Sequence, residues 1–282
     1  MTPVGTSRAC VPAYRSLSEF LLLEPHEHAY ELADWMERAT TALQPLDRKA
    51  WDAAYSWLRV TSGLRSISFD MAYDDGGMCA GGDFDLVWSE MMNEWQVYQV
   101  RLGYAASAIK ALVRALRLPV GDVQAAVEGA ESDVKLPQWT RLVHARSLAE
   151  HLDQHLAAVP SAAPAPVSSA VRAALDLSRK TANGEMGVPE PGHDDDMNFL
   201  PAGHELVCAS REAASALLLG GQVLLAGAVE KGIIGAPDED KYLLDGMWIQ
   251  GPTGEPVWVD EEIPYGDYLA FLHLEHGEPP LA

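Results

Sequence analysis

Cysteine is scarce: Cys10, Cys79 and Cys208 are the only three in 282 residues. They are too few and too scattered for a disulfide framework, so a reducing, cytoplasmic setting is the expectation. Basic residues are also short, with 20 Lys and Arg against 41 Asp and Glu, a formal charge of -21 and a pI near 4.6. A chain so acidic lacks the basic face that coating nucleic acid or anionic lipid requires. No basic-then-apolar leader stands at the start. The longest strongly apolar stretch free of charge, Ala213 to Val229, holds 17 residues with three glycines, Ser215 and Gln222. That falls short of a membrane span and predicts a buried central helix. HExxH, Walker A, G-x-G-x-x-G, G-x-S-x-G and CxxC motifs are all missing. What is present is ordinary for a folded domain: 48% apolar and 22% charged residues.

The acid excess is uneven. Residues 1–160 carry 21 acids and 14 bases, whereas residues 161–282 carry 20 acids and only 6 bases. The change falls at the Pro/Ala run Val159 to Pro166, whose composition favours extended polyproline-II chain. The expected organisation is a helical bundle over 1–158, a linker over 159–167, and an acidic helical part over 168–282. The fold class expected is mainly α, a helical bundle with a small C-terminal β-meander.

Periodicity supports the helices. Tyr30, Leu32, Trp35, Met36, Ala39 and Leu43 follow a first-turn Pro25, and Asp47 is a natural N-cap for a helix that carries Trp51, Ala54 and Leu58 and is expected to run on toward Met71. Gly76-Gly77 and Gly81-Gly82 predict a loop over 70–83. From Trp88 to Leu116, apolar residues recur at alternating spacings of four and three, with Met91, Tyr98, Ala105 and Leu112 as a second column. A stripe that wide predicts a helix at a bundle centre. Helices are also expected over 122–131, 137–158, 168–182 and 204–231, with Asn183-Gly184 as a stop signal. Ala213, Ala216, Gly220 and Gly227 share one face, which predicts close helix packing. Strand patterns around Asp245-Gly246 and Gly251-Pro-Thr-Gly254 predict the meander, and 265–273 a closing helix.

Histidines offer the first chemistry. His151 and His155 stand one helical turn apart and can share a divalent metal, whereas His144 lies about 10 Å further along the axis. The same rings flank the apolar face of Leu148, Leu152 and Leu156, where an amphipathic side chain is comfortable without a ligand. His193, Asp194 and Asp196 supply further nitrogen and oxygen donors in an acidic loop. A metal-dependent helical enzyme built on these residues takes a divalent cation as its cofactor.

Arg146-Ser-Leu-Ala-Glu-His151 is an R-x4-H sequence with a polar Ser147 after the arginine. It resembles the motif of the HEPN superfamily of helical ribonucleases and defence proteins. That resemblance spans six residues and implies RNA cleavage by Arg146 and His151 in a homodimer cleft.

A third reading starts from charge. No acid occurs between Glu94 and Asp122, and Lys110, Arg114 and Arg117 form a basic stripe near the end of the long helix. The stripe complements a helix C-terminus or docks an acidic surface. The acidic C-terminal part suits a basic partner. The leading expectation is a soluble acidic protein acting by protein–protein interaction.

Overall fold

The computed structural model describes residues 23–39, 46–68, 79–118, 122–134, 166–189, 192–193, 199–200, 204–237, 242–243, 247–250, 256–259, 262–263, 269 and 272–273. Among the described residues six helices carry the architecture: α1 (Pro25–Arg38), α2 (Arg48–Gly63), α3 (Cys79–Ala115), α4 (Val123–Glu131), α5 (Val167–Ala182) and α6 (His204–Glu230). They pack as a bundle. The helices that flank the 159–167 run share one apolar core, in which Leu102, Ile109 and Val127 meet Val171, Leu177 and Leu217.

Local chemistry sets the helix ends. Asp47 accepts a hydrogen bond from the Ala50 N–H at 3.1 Å, and Asp122 accepts from the Gln124 N–H, also at 3.1 Å. Asp47 also donates its own N–H to the Ala115 carbonyl at 3.1 Å, pinning the start of α2 to the end of α3. Glu131 caps a helix other than its own: its carboxylate accepts from the N–H groups of Val167 and Ser168 at the start of α5. At the other end of α5, Gly184 takes φ +70 as the stop signal predicts, and Glu185 N–H reaches the Lys180 carbonyl.

Two helices differ from expectation. Helix α2 ends at Gly63. Helix α3 begins at Cys79 and runs through Gly81-Gly82, inside the predicted loop. Extending an established helix costs far less than starting one, so two glycines at about 1 kcal/mol each do not stop it.

The apolar stripe of α3 is buried as its spacing requires, with Leu102, Ala105, Ala106, Ile109, Leu112 and Leu116 all inside. It runs parallel to α6: Gln99 meets Ser210 and Ile109 meets Gly220 at the same offset. Helix α6 is long and apolar enough to cross a membrane, yet 78% of its most apolar window is buried within the protein. The central-helix reading therefore holds for it. Its small-residue face does what the sequence predicts: a Cβ on Gly227 would stand 2.9 Å from Ala130 Cβ, so α4 approaches closely there.

Short strands complete the chain: β1 (Gly192–His193), β2 (Phe199–Leu200), β3 (Tyr242–Leu243), β4 (Met247–Gln250), β5 (Pro256–Val259) and β6 (Glu262–Ile263). They form three separate antiparallel pairs, β1 with β2, β3 with β6, and β4 with β5. A continuous meander is not shown. Strand β3 pairs with β6 across the β4–β5 hairpin, not with β4 through Asp245-Gly246. A period-two pattern marks strands but leaves their partners open. Of the expected closing helix, only Leu269 and Leu272–His273 are described, in turns, and both leucines enter the core.

Candidate functional site

At the bundle centre the structure leaves little space. The apolar gap lined by Leu32, Leu58, Ile109, Leu217 and Gly221 measures about 10 Å³, no more than one water needs.

The densest gathering of polar groups lies where the start of α1 meets the middle of α3 and the first third of α6. Arg211 forms an ion pair with Glu24, and the Tyr98 hydroxyl donates to the other oxygen of Glu24 at 3.4 Å. Gln99 donates to the Ser210 hydroxyl at 2.6 Å, which in turn donates to the Leu206 carbonyl. Burial alone would pull the Arg211 guanidinium down, but Glu24 and Glu212 outweigh it and hold it above its ordinary value. Burial pushes the Tyr98 phenol up to about 12 and raises the Glu94 carboxyl, against the opposing pull of Arg211. The Glu24–Arg211 pair thus sits beside two groups, Tyr98 and Glu94, that burial holds toward their neutral forms. Such a set holds and orients charge.

Arg101 lies alongside. It is 5% exposed, donates to the Leu64 carbonyl at 2.7 Å and stands 5.4 Å over the Tyr98 ring. Burial lowers it from its ordinary value. His26 is held low first by burial and then by Arg101 and Arg65, with Glu27 and Glu24 opposing.

A second polar knot ties the chain ends to the centre. Gln222, fully buried on α6, donates both amide hydrogens, to the Leu269 carbonyl at 2.7 Å and to His273 Nδ1 at 2.9 Å. Its oxygen accepts from His28 Nε2 at 2.9 Å. The Leu269 carbonyl can only accept, so it fixes the amide orientation, and His28 Nε2 then donates to the amide oxygen, which also lies 3.2 Å from His273 Nδ1. His273 returns a carbonyl to the Leu23 N–H at 3.0 Å. This knot reads as structural: each group is buried and hydrogen-bonded.

On the surface, Glu37, Arg48, Asp52 and Tyr55 line an open cleft of about 470 Å³ between α1 and α2, floored by Met36 and Trp51. Tyr55 donates to Glu37 at 3.0 Å, and that bond raises its phenol.

The residues singled out in the sequence fall unevenly. Arg146, His151 and His155 lie outside the described residues, as do Asp194 and Asp196; His193 is described only in backbone, as the second residue of β1. Among the described residues, no cluster of three or more His, Cys, Asp or Glu could hold a metal ion. Lys110, Arg114 and Arg117 are all exposed, and Arg117 holds φ 49 just past the end of α3. Cys208 is buried at 3% exposure, as a small core residue should be, but it is also disulfide-bonded. The spacing of three lone cysteines carries no sign of that bond. The Glu24–Arg211 and Arg101 groups went unnoticed in the sequence because their partners are 37 to 187 residues apart. An arginine at a core-facing register of α3 was the one signal present.

The chain matches no protein-family model, no curated protein and no solved structure. Its chemistry has to be read from its own residues.

Proposed function

We propose that this protein acts by binding, as an acidic helical protein that engages a basic protein partner. Charge arithmetic carries the reading: if every Lys and Arg paired with one acid, 21 carboxylates would still lack a basic partner within the chain. Among the described residues the pairs are mostly local, such as Arg38 with Asp34 and Arg179 and Lys180 with Asp176. A surplus of that size speeds encounter with a basic surface and repels nucleic acid. The cleft bearing Glu37 and Asp52 is an accessible place for a basic side chain to enter. Lys110, Arg114 and Arg117 serve in this reading as a second, opposite-sign contact.

The test is capture of partners at about 50 mM and 500 mM salt, where screening differs strongly, followed by reconstitution with each purified candidate. The reading requires a basic partner whose affinity falls with salt and with Glu37→Gln/Asp52→Asn. A partner that binds equally well at both salts, or none at the lower salt, refutes it. A cytoplasmic setting belongs to the same proposal, and recovery of the protein outside the cytoplasmic fraction of lysed cells refutes it.

A further inference from the structure

The open cleft between α1 and α2 joins two chemistries. Met36 and Trp51, both buried, give it an apolar floor, while the exposed Glu37 of α1 and Arg48, Asp52 and Tyr55 of α2 line its walls. Arg48, Asp52 and Tyr55 stand at i, i+4 and i+7, so all three lie on one face of α2. At about 470 Å³ the cleft has the volume of a site that holds a small ligand or an extended side chain.

Its spare hydrogen-bonding capacity is all of one kind. Tyr55 donates to one oxygen of Glu37 at 3.0 Å and so fixes that carboxylate against the wall. The other oxygen of Glu37 has no hydrogen-bond partner among the described residues. The Asp52 carboxylate likewise forms no ion pair or hydrogen bond with a described residue; only its backbone carbonyl is used, by Ser56. Arg48 is engaged with other groups. What the cleft offers is therefore acceptors above an apolar floor, one from each helix.

The same pair of helices already seats a guanidinium of the chain's own. One turn beyond Tyr55, Arg59 stands 5.5 Å over the ring of Tyr30 on α1. The groove between the two helices thus has an arginine against an aromatic ring at one end, and carboxylates beside Tyr55 without one at the other.

We propose that the Glu37–Asp52 end of this cleft receives one arginine side chain of the basic partner; the inference rests on the partner reading and gives it a defined contact. The planar guanidinium carries five donors, enough to serve carboxylates from two helices at once, and matches each in geometry. Its aliphatic stem lies along Met36 and Trp51, as long basic side chains do on apolar surface. A lysine ammonium is a more strongly hydrated point charge and fits such a fork less well.

The test titrates the full chain with N-acetylarginine amide and, separately, with the lysine and citrulline analogues, at constant ionic strength in sodium chloride. The Tyr55 ring signals, assigned with Tyr55→Phe, report on the cleft. Arginine amide should shift them saturably in the millimolar range, the lysine analogue several-fold more weakly, and neutral citrulline, which has nearly the same shape, not at all. Asp52→Asn, at an exposed position that leaves the fold intact, should weaken arginine about tenfold, the scale of one lost charge-assisted hydrogen bond. No saturable shift with arginine overturns the proposal. So does a lysine or citrulline response equal to arginine's, or an arginine response that Asp52→Asn leaves unaltered. Because the titration uses no partner, it succeeds or fails independently of partner capture at the two salts.

Discussion

Two adjacent glycines on α6 should respond to the same substitution with opposite signs. At Gly220 an added Cβ would stand 2.5 Å from Val171 Cγ2 and 3.0 Å from Ile109 Cδ1. Val171 is fully buried and β-branched on α5, so its methyl cannot rotate away. Overpacking of that kind costs about 1–3 kcal/mol, against about 1 kcal/mol returned because alanine is the better helix former. Gly221 differs: nothing stands within 4 Å of its Cβ position, and it borders the 10 Å³ apolar gap between α1, α2, α3 and α6. There alanine gains the same propensity and buries a methyl worth about 0.8 kcal/mol. Gly221→Ala should therefore stabilise by about 1–2 kcal/mol, while Gly220→Ala should destabilise by up to about 2 kcal/mol. Denaturant unfolding of the parent and both variants measures this directly, with unchanged m-values as the sign that only stability moved. If the two variants move together, α6 does not face α5 at Gly220 and the packing derived for the bundle centre is wrong.

Further tests reach the polar groups. Gln222→Leu keeps volume but removes three buried hydrogen bonds; at about 1 kcal/mol each the loss should be about 3 kcal/mol in denaturant unfolding, with faster exchange of the Leu23 amide. Arg117→Gly relieves a left-handed residue and should stabilise by about 0.5–1 kcal/mol, read as a higher unfolding midpoint. Burial raises Glu94, so its neutral form favours the fold below the ordinary 4.5 and that stability is lost as pH rises through the folded value. Glu94→Gln should thus gain over the parent between about pH 5 and 8; equal pH profiles refute this. By the same rule Tyr98 supports the fold below 10 and ceases to as pH passes about 12, visible as a late-titrating phenol by ultraviolet absorbance. Metal analysis of the parent beside His151→Ala/His155→Ala tests the metal-enzyme expectation, which requires near-stoichiometric metal lost in the variant.

How much was legible depended on the range over which each feature is decided. The cap at Asp47, the stop at Gly184 and the buried stripe of α3 are set by residues within a turn or two, and spacing reveals them. The start of α3 and the pairing of β3 with β6 were misjudged, because glycine propensity and strand pattern give way to what neighbouring elements supply. None of the histidine, aspartate and R-x4-H candidates lies among the residues whose side chains are described, whereas the polar groups that are described came from outside every motif.

The sequence by itself determined the helices, their apolar faces, the closeness of approach at Gly220 and Gly227, and an acid surplus that no internal pairing can cancel. Only the tertiary structure decided that Glu24 meets Arg211, that Gln222 joins His28 to His273, and that Arg101 is buried against the Leu64 carbonyl and the Tyr98 ring. The reason is physical. Periodicity and capping are local, with energies set by neighbours three or four residues away. Whether a polar side chain is paired or stranded depends on burial by segments distant in the chain, and no spacing rule encodes it.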